Sequence, residues 1–577
     1  MKSKISWIPI LISLVALVPG VVAGAPATSA AKATSDAQAL KQLAQAIASE
    51  SEADQIALTK ALAATESQAI KKGLITWNEG GVYLYDSGTA KIPYVLEDAV
   101  DADGKQKADR VDTGEALKDD KGQPLLFVSS DLTAVDTSSG LRRAIQTTLD
   151  MLALADPDPQ ARRSAVMKLG MSQKQIYIPL LQDRQTKEKD KTVLAGLDEA
   201  LALIGLGDSD PAAQDKAIRR LGEIHSIGSR QLLSTIANNP NSPNAKSASA
   251  SVKLIDEHIS WINFYGTLFR GLSEGSILLV AALGLAITFG LMGVINMAHG
   301  EFIAVGAYSA FVVQNIFGQG LALSPFGMNV SIPGMKLTGS AFDCYFIVAL
   351  PLAFISAALV GLLLERSVIQ FLYRRPLESL LATWGVSLML QQAFRLIFGA
   401  ANVQMISPSW LSGNVTIDDV GLGYNRLFVI GFAVVIVIAT WLVLTKTPLG
   451  LLIRAVMQKR DMAACIGVRT ERVNMMTFAL GSGLAGLAGA FLSQIGNVGA
   501  GLGQTYIVDC FMTVVVGGVG NLVGTVCSAL GIGVVDESLQ PWIGPVMGKI
   551  TVLAIIILFL QWRPAGLFVT KSRSLEG

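Results

Sequence analysis

Polar side chains set into apolar surroundings are the first places to look for chemistry in this sequence. The segment Gly293-Val-Ile-Asn-Met-Ala-His-Gly-Glu-Phe302 puts Asn296, His299 and Glu301 at the junction of two apolar runs. Ionisable groups at such depth are expensive and mark either a solute path or a carefully paired joint. Both readings stay open here: substrate contact, or a structural joint in which Asn296 and Glu301 cap helix ends and Gly300 permits a break. A second group, Thr383, Ser387, Gln391 and Gln392, lies along a later apolar run. The spacing of four puts Thr383, Ser387 and Gln391 on one helical face. Their hydroxyl and amide groups suit a neutral solute as well as they suit hydrogen bonds between helices.

Other chemistries find no support. The four cysteines, Cys344, Cys465, Cys510 and Cys527, form no CxxC pair, and the only histidines are His225, His258 and His299. No metal site or disulfide framework is expected from that set. No HExxH segment occurs, and the one GxSxG string, Gly271-Leu-Ser-Glu-Gly275, opens an apolar run instead of following a strand, so no catalytic residue is assigned and the chain reads as a non-enzyme without a cofactor. Val514-Val-Val-Gly-Gly-Val-Gly-Asn521 lacks the Lys-Ser/Thr of a phosphate loop. Gly544-Pro-Val-Met-Gly-Lys-Ile550 is one residue short and ends on Ile. Both fail as nucleotide sites, so any work drawn from ATP must come from another polypeptide. The net charge of +1 offers no field for nucleic acid.

The chain divides by polarity. Charged residues make up 16% of the chain, and 17 of the 46 Lys and Arg residues fall in 261–577. That second part carries apolar runs near 270–294, 299–316, 344–365, 379–399, 427–445, 474–494, 507–535 and 546–561. Each has the length and composition of a membrane-spanning helix. Basic residues crowd two loops, with Arg366, Arg374 and Arg375 in one, and Lys446, Arg454, Lys459, Arg460, Arg469 and Arg472 in the other. The positive-inside rule makes those loops cytoplasmic and puts residue 260 outside. Eight crossings would leave the C-terminal tail outside, against the charge of Arg563, Lys571 and Arg573. Glycines within 507–535 suggest that this run re-enters. Small residues at Ser482, Ala485, Gly486 and Gly489 suit close helix packing.

The first part reads as an exported domain. Lys2 and Lys4, the apolar run Ile5 to Leu17, and small residues around Ala23-Gly24-Ala25 resemble a signal peptide over 1–25. Residues 26–240 are expected to be mainly helical, with short strands within 75–135 and a repeat within 141–240. Asp156 to Gly170 matches Asp208 to Gly222 at an offset of 52, with seven identities in 15 positions. In each copy an Asp can cap a helix that opens on Pro, and a Gly is placed to end it. The pattern resembles HEAT-type helical pairs. The turn-rich stretch 241–260 reads as a linker to the membrane domain 261–577.

One cytoplasmic loop is too polar to span and too regular to be a plain connection. A surface helix is expected from Arg454 to Ile466, stopped by Gly467, with Asp461 and Ala463 on it. The spacing of Asp461, Ala463 and Gly467 resembles the Glu-Ala-Ala-x-x-x-Gly coupling motif of ABC permeases, with Met462 as a departure. Together with Ile295-Asn-Met-Ala-His-Gly-Glu-Phe302, Val516-Gly-Gly-Val-Gly-Asn521 and Gln561-Trp-Arg-Pro-Ala-Gly-Leu-Phe568, this loop makes residues 265–570 resemble the branched-chain amino-acid and amide permease family of ABC importers. Pro376 to Gln392 and the long exported extension resemble the urea permease subunit of that family. The resemblance implies a bacterial inner-membrane protein, and the signal-like start and the basic loops make a periplasmic N-terminal domain the expectation. It implies as partners a second homologous permease subunit, two cytoplasmic ATP-binding subunits, a periplasmic substrate-binding protein and the lipid bilayer. The expected fold is therefore an all-α polytopic membrane helix bundle of about eight spans, preceded by a mainly helical exported domain with a small β segment. The expected cargo is urea or a related small amide. Branched-chain amino acids are the first alternative, and an ATP-independent channel or secondary transporter is the second.

Overall fold

The computed structural model describes residues 27–568, apart from 66, 87–90, 101–104, 119–122, 129–131, 324–329 and 374. The proposed signal peptide therefore lies outside the described residues, as do Arg374, Lys571 and Arg573. The chain divides into two units, Met1–His258 and Ile259–Gly577.

In the first unit, α1 (Ala27–Ala48), α2 (Glu52–Leu62) and α3 (Ile70–Asn78) precede four strands. The strands β1 (Val82–Asp86), β2 (Lys91–Val100), β3 (Gln106–Arg110) and β4 (Leu126–Phe127) form an antiparallel meander in chain order. Tyr83 pairs with Tyr94 across β1 and β2, and Tyr94 stacks on Phe127 at 4.9 Å. A helical core of Leu43, Ile47, Leu62, Leu74, Trp77 and Ile145 joins α1–α3 to α4 (Ser139–Leu152).

The repeat then follows. Helix α5 (Pro159–Met171), a 3-10 turn at Gln175–Tyr177, α6 (Ile178–Lys187) and α7 (Lys191–Gly205) form the first copy. Helix α8 (Pro211–Glu223), a 3-10 turn at Ile227–Ser229 and α9 (Arg230–Ala237) follow at the same offset. Asp158 and Asp210 cap their helices by accepting from Gln160 N and Ala212 N, each at 3.1 Å. Gln173 and His225, also 52 apart, both adopt φ 53°.

Two sequence expectations change here. Gly170 and Gly222 lie inside α5 and α8 instead of ending them. A Cβ at Gly170 would stand 2.6 Å from Ala200 Cα, and one at Gly222 would stand 2.6 Å from Ser251 Oγ. These glycines let a neighbouring helix approach. The second change concerns the linker. After the turns near 240, helix α10 (Ala245–Met292) begins within it. Its first residues take the place in the second copy that α7 holds in the first, so each copy contains three helices. Ala and Ser at 245–251 are compatible with a helix, and the Pro-rich signal ends at Pro243.

The second unit is a helical bundle. After α10 come α11 (His299–Phe317), a hairpin of β5 (Gly320–Leu323) and β6 (Val330–Pro333), a turn of helix α12 (Ser340–Asp343), and α13 (Tyr345–Ser367). Helix α14 (Pro376–Phe398) leads to a hairpin of β7 (Asn414–Ile417) and β8 (Val420–Gly423) and then to α15 (Tyr424–Lys446). Two short helices, α16 (Pro448–Gln458) and α17 (Arg460–Cys465), precede α18 (Thr470–Leu492), α19 (Leu502–Gly517), α20 (Leu522–Ile543) and α21 (Pro545–Trp562). Among the described residues eight helices are long and apolar enough to cross a membrane, and α19 is a shorter apolar helix.

The run 507–535 is thus two helices, not one span. The turn at 518–521 packs against Gly290, close to the C-terminal end of α10, and Leu567 N donates to Val516 O at 2.8 Å just past α21. Helix α19 has 16 residues, about 24 Å at 1.5 Å per residue, which falls short of a bilayer core. With α19 counted as a ninth apolar helix, the number among the described residues is odd, which suits a basic C-terminal tail on the face opposite residue 260. Close approach in the bundle centre depends on small residues. A Cβ on Gly306 would run into the Gly486 carbonyl, one on Gly489 into the Ile303 carbonyl, and one on Gly361 into Ser482.

Candidate substrate path and coupling loop

Helix α10 ends at Met292 and α11 begins at His299, so six residues lie between the two helices. Gly293 turns the chain with φ 68°. Freed backbone groups at membrane depth need protein partners. Met297 N donates to Thr383 Oγ1 on α14 at 3.1 Å, and Ala298 N donates to Asn296 Oδ1 at 3.0 Å. The Thr383 hydroxyl in turn donates to Ser379 O at 2.7 Å. Asn296 and Thr383 therefore repair the broken backbone.

One turn further along α14 the contacts change. Glu301 Oε1 accepts from Ser387 Oγ and from Gln391 Nε2, each at 2.9 Å, and Gln391 Nε2 also reaches Ser387 Oγ at 3.2 Å. His299 turns the other way, with Nε2 at 3.1 Å from Ala281 O on α10. All of these side chains are buried. Glu301 Oε2, Asn296 Nδ2 and His299 Nδ1 have no hydrogen-bond partner among the described residues. The cluster presents one spare carboxylate oxygen and a spare amide NH2 group, a pairing that suits a solute carrying both N–H donors and a carbonyl acceptor.

Six of the seven residues marked in the sequence thus gather at the break. Gln392 does not: it is exposed, because adjacent helical residues point about 100° apart. The sequence reading also missed Tyr308, buried with its hydroxyl unpartnered and its ring stacked on Phe398 at 4.2 Å. Its position in α11, seven residues after Glu301, was the available signal.

The loop after α15 is built in two pieces. The expected single helix from Arg454 to Ile466 is broken at Lys459 (φ −151°, ψ 99°), which separates α16 from α17. Thr447 caps α16 by accepting from Gly450 N at 3.2 Å, and Arg454 Nε donates to Gly450 O at 3.3 Å. Helix α17 ends as the glycine implied. Gly467 has φ 90°, Gly467 N donates to Ala464 O and Val468 N to Ala463 O, each at 3.0 Å. That is a Schellman closure, which strongly favours glycine at this position. Ala463 is 3% exposed, while Met462 at 60% and Ile466 at 77% share the outer face. Asp461 is exposed at the helix start. The Arg460 guanidinium lies 4.6 Å from the Tyr373 ring centre, and the Tyr373 hydroxyl donates to Glu365 Oε1 at 2.8 Å. The two basic loops are thereby joined through a contact that no sequence spacing announces.

Apolar helices of membrane-spanning length, one pair joined by a non-helical break and another by two short helices, make this a polytopic membrane protein. Residues 267–560 match the family model for the branched-chain amino acid transport system permease component, and the chain belongs to that family. It is 26% identical over 312 residues to the high-affinity branched-chain amino acid transport system permease protein BraD of Pseudomonas aeruginosa, covering 52% of this chain and 94% of the relative. It is 24% identical over 316 residues to the permease protein LivH of Salmonella typhimurium, covering 53% of this chain and 96% of the relative. A probable LivH of Methanocaldococcus jannaschii is 24% identical over 310 residues, with 51% of this chain and 88% of the relative covered. No solved structure matches. The family match falls within the second unit.

Proposed function

We propose that this chain is the permease subunit of an ABC importer in a bacterial inner membrane, carrying urea or a related small amide. Separate ATP-binding subunits would press on α16–α17. The observation that carries the mechanism is the Schellman-closed helix α17, rigid at Gly467 and docked by Arg460 onto Tyr373. An ATPase pushing on the outer face of Met462 and Ile466 would move α17 as one body with α18 and the loop before α14.

The cargo reading rests on the resemblance of Pro376 to Gln392 and on the chemistry of the break. Urea offers four N–H donors and one carbonyl acceptor, which complement Glu301 Oε2 and Asn296 Nδ2. In this reading Ser387 and Gln391 hold Glu301 in place, and the cluster opens only when the helices shift. The second reading, branched-chain amino acids, is favoured by the names of the relatives. Partners in either case are a second homologous permease subunit, two cytoplasmic ATP-binding subunits and a periplasmic substrate-binding protein. Residues 26–260 would face the periplasm. The test is uptake of labelled urea and labelled leucine by cells with and without this chain. Loss of urea uptake alone supports the first reading, and loss of leucine uptake alone supports the second.

A further inference from the structure

The permease reading gives no role to a cavity between α10, α19, α20 and α21. Glu274, Tyr506, Asp509, Asp536 and Lys549 face it, and it has room for about one water-sized occupant. Its charges do not balance. Lys549 Nζ lies 3.1 Å from Asp509 Oδ2 and 5.7 Å from the Tyr506 ring centre, so one carboxylate is matched. Glu537, beside the cavity, is taken by Arg270 at 3.6 Å. Two carboxylates, Glu274 and Asp536, remain without a cation among the ion pairs of the described residues. Asp536 is only 6% exposed. Its Oδ2 accepts from Gln540 Nε2 at 3.3 Å, and its Oδ1 has no hydrogen-bond partner.

A buried carboxylate oxygen with no hydrogen-bond partner among the described residues, on a side chain that lines a water-sized cavity with a second carboxylate, calls for a donor that also brings positive charge. A neutral water supplies hydrogen bonds and leaves the charge uncompensated. A metal ion is a poor fit, because no group of three or more His, Cys, Asp or Glu side chains among the described residues is arranged to hold one. Hard cations also want an oxygen shell of six or more, whereas one lining group here is an ammonium. An N–H-donating monocation meets both needs: it can donate to Asp536 Oδ1 and to Glu274, and the face of Tyr506 attracts positive charge.

We propose that this cavity is a binding site for a water-sized ammonium-type monocation, held between Asp536 and Glu274. The site is separate from the Glu301 cluster and independent of which cargo the permease carries. The test uses the full-length chain in lipid nanodiscs, followed by thermal unfolding with ammonium, methylammonium, sodium or choline chloride at equal ionic strength and pH. Ammonium should raise the unfolding temperature with a saturable dependence that sodium and choline do not reproduce. Asp536→Asn should raise the half-saturating concentration roughly tenfold or more, the scale of one hydrogen bond to a charged group. Glu274→Gln should act in the same direction, and it carries the test if Asp536→Asn does not fold. No ammonium-specific shift in the wild type would mean that the cavity holds only water or a shared proton, and would overturn the proposal. An equal shift with sodium, or a shift unchanged in both variants, would overturn it as well.

Discussion

Replacing Gln391 by Leu separates the two roles open to the helix break. Leucine fills nearly the same volume, so the change removes donors and leaves packing largely intact. Gln391 Nε2 donates to Glu301 Oε1 at 2.9 Å and contacts Ser387 Oγ at 3.2 Å. After the change Ser387 is the one donor left on Oε1, and Oε2 still has none. Losing a buried hydrogen bond to a carboxylate is worth about 1.5–3 kcal/mol. Gln391→Leu should therefore destabilise the chain by about 2 kcal/mol and lower uptake. The informative comparison is the double variant Glu301→Met with Gln391→Leu. Removing both partners together is close to neutral, so stability should return, with a coupling of about 2 kcal/mol from the double-mutant cycle. Uptake in the double variant then decides the role. If Glu301 contacts the solute, uptake stays low although the protein is stable again. If the cluster is only a joint, uptake returns with stability. Thermal unfolding of the purified chain and labelled-solute uptake measure the two quantities. A single variant with unchanged stability and unchanged uptake would refute the reasoning about this cluster.

Two further outcomes follow from the first unit. Protease added to cells with a permeabilised outer membrane should cut within residues 26–260, and full protection with intact cytoplasmic controls would contradict a periplasmic location. Burial opposes ionisation of Glu188, but Arg162, the Asp190 and Lys189 amides and Arg184 outweigh it and hold its carboxyl at about 2, below the ordinary 4.5. The stabilisation is thus fully present above about pH 4.5 and is lost as pH falls towards 2. The Lys189 and Asp190 amides donate to Glu188 Oε1 at 3.0 and 3.1 Å, so their protection against hydrogen exchange, relative to the intrinsic rate, should fall across that window, and Arg162→Ala should move the loss to higher pH. Protection that is flat from pH 5 to about pH 2 would contradict the Glu188 contact.

The spans were legible because hydropathy acts residue by residue: α13 covers Tyr345–Ser367 where the apolar run reads 344–365. The turn that splits 507–535 was legible only in part: its glycines pointed to a re-entrant run, but its one polar residue, Asn521, which caps α20 by accepting from Gly524 N, does not interrupt the apolar signal. The break at Lys459 was not legible, since neither Pro nor Gly stands there. Spacing found the shared face of Thr383, Ser387 and Gln391 because all three lie on one helix. It could not show that Glu301 was their partner, 86 and 90 residues away from Ser387 and Gln391. In the first unit the repeat showed where helices begin, through Asp158 and Asp210. It hid the reason for its glycines, which depends on Ala200 and Ser251 in other helices.

The central claim is that this permease receives work from separate ATPases through α17. It is tested most directly in proteoliposomes holding the complete transporter, with ATP hydrolysis and solute uptake measured together for wild type, Gly467→Trp and Ala463→Glu. At Gly467 no atom stands within 4 Å of an added Cβ, so the expected harm comes from φ 90°, which costs a non-glycine residue about 1 kcal/mol or more. At Ala463, which is 3% exposed, Glu places a charge in the seat of the helix. The account predicts that both variants insert and bind solute while hydrolysis and uptake become uncoupled. Variants that assemble, hydrolyse ATP and import solute at the wild-type ratio would contradict it.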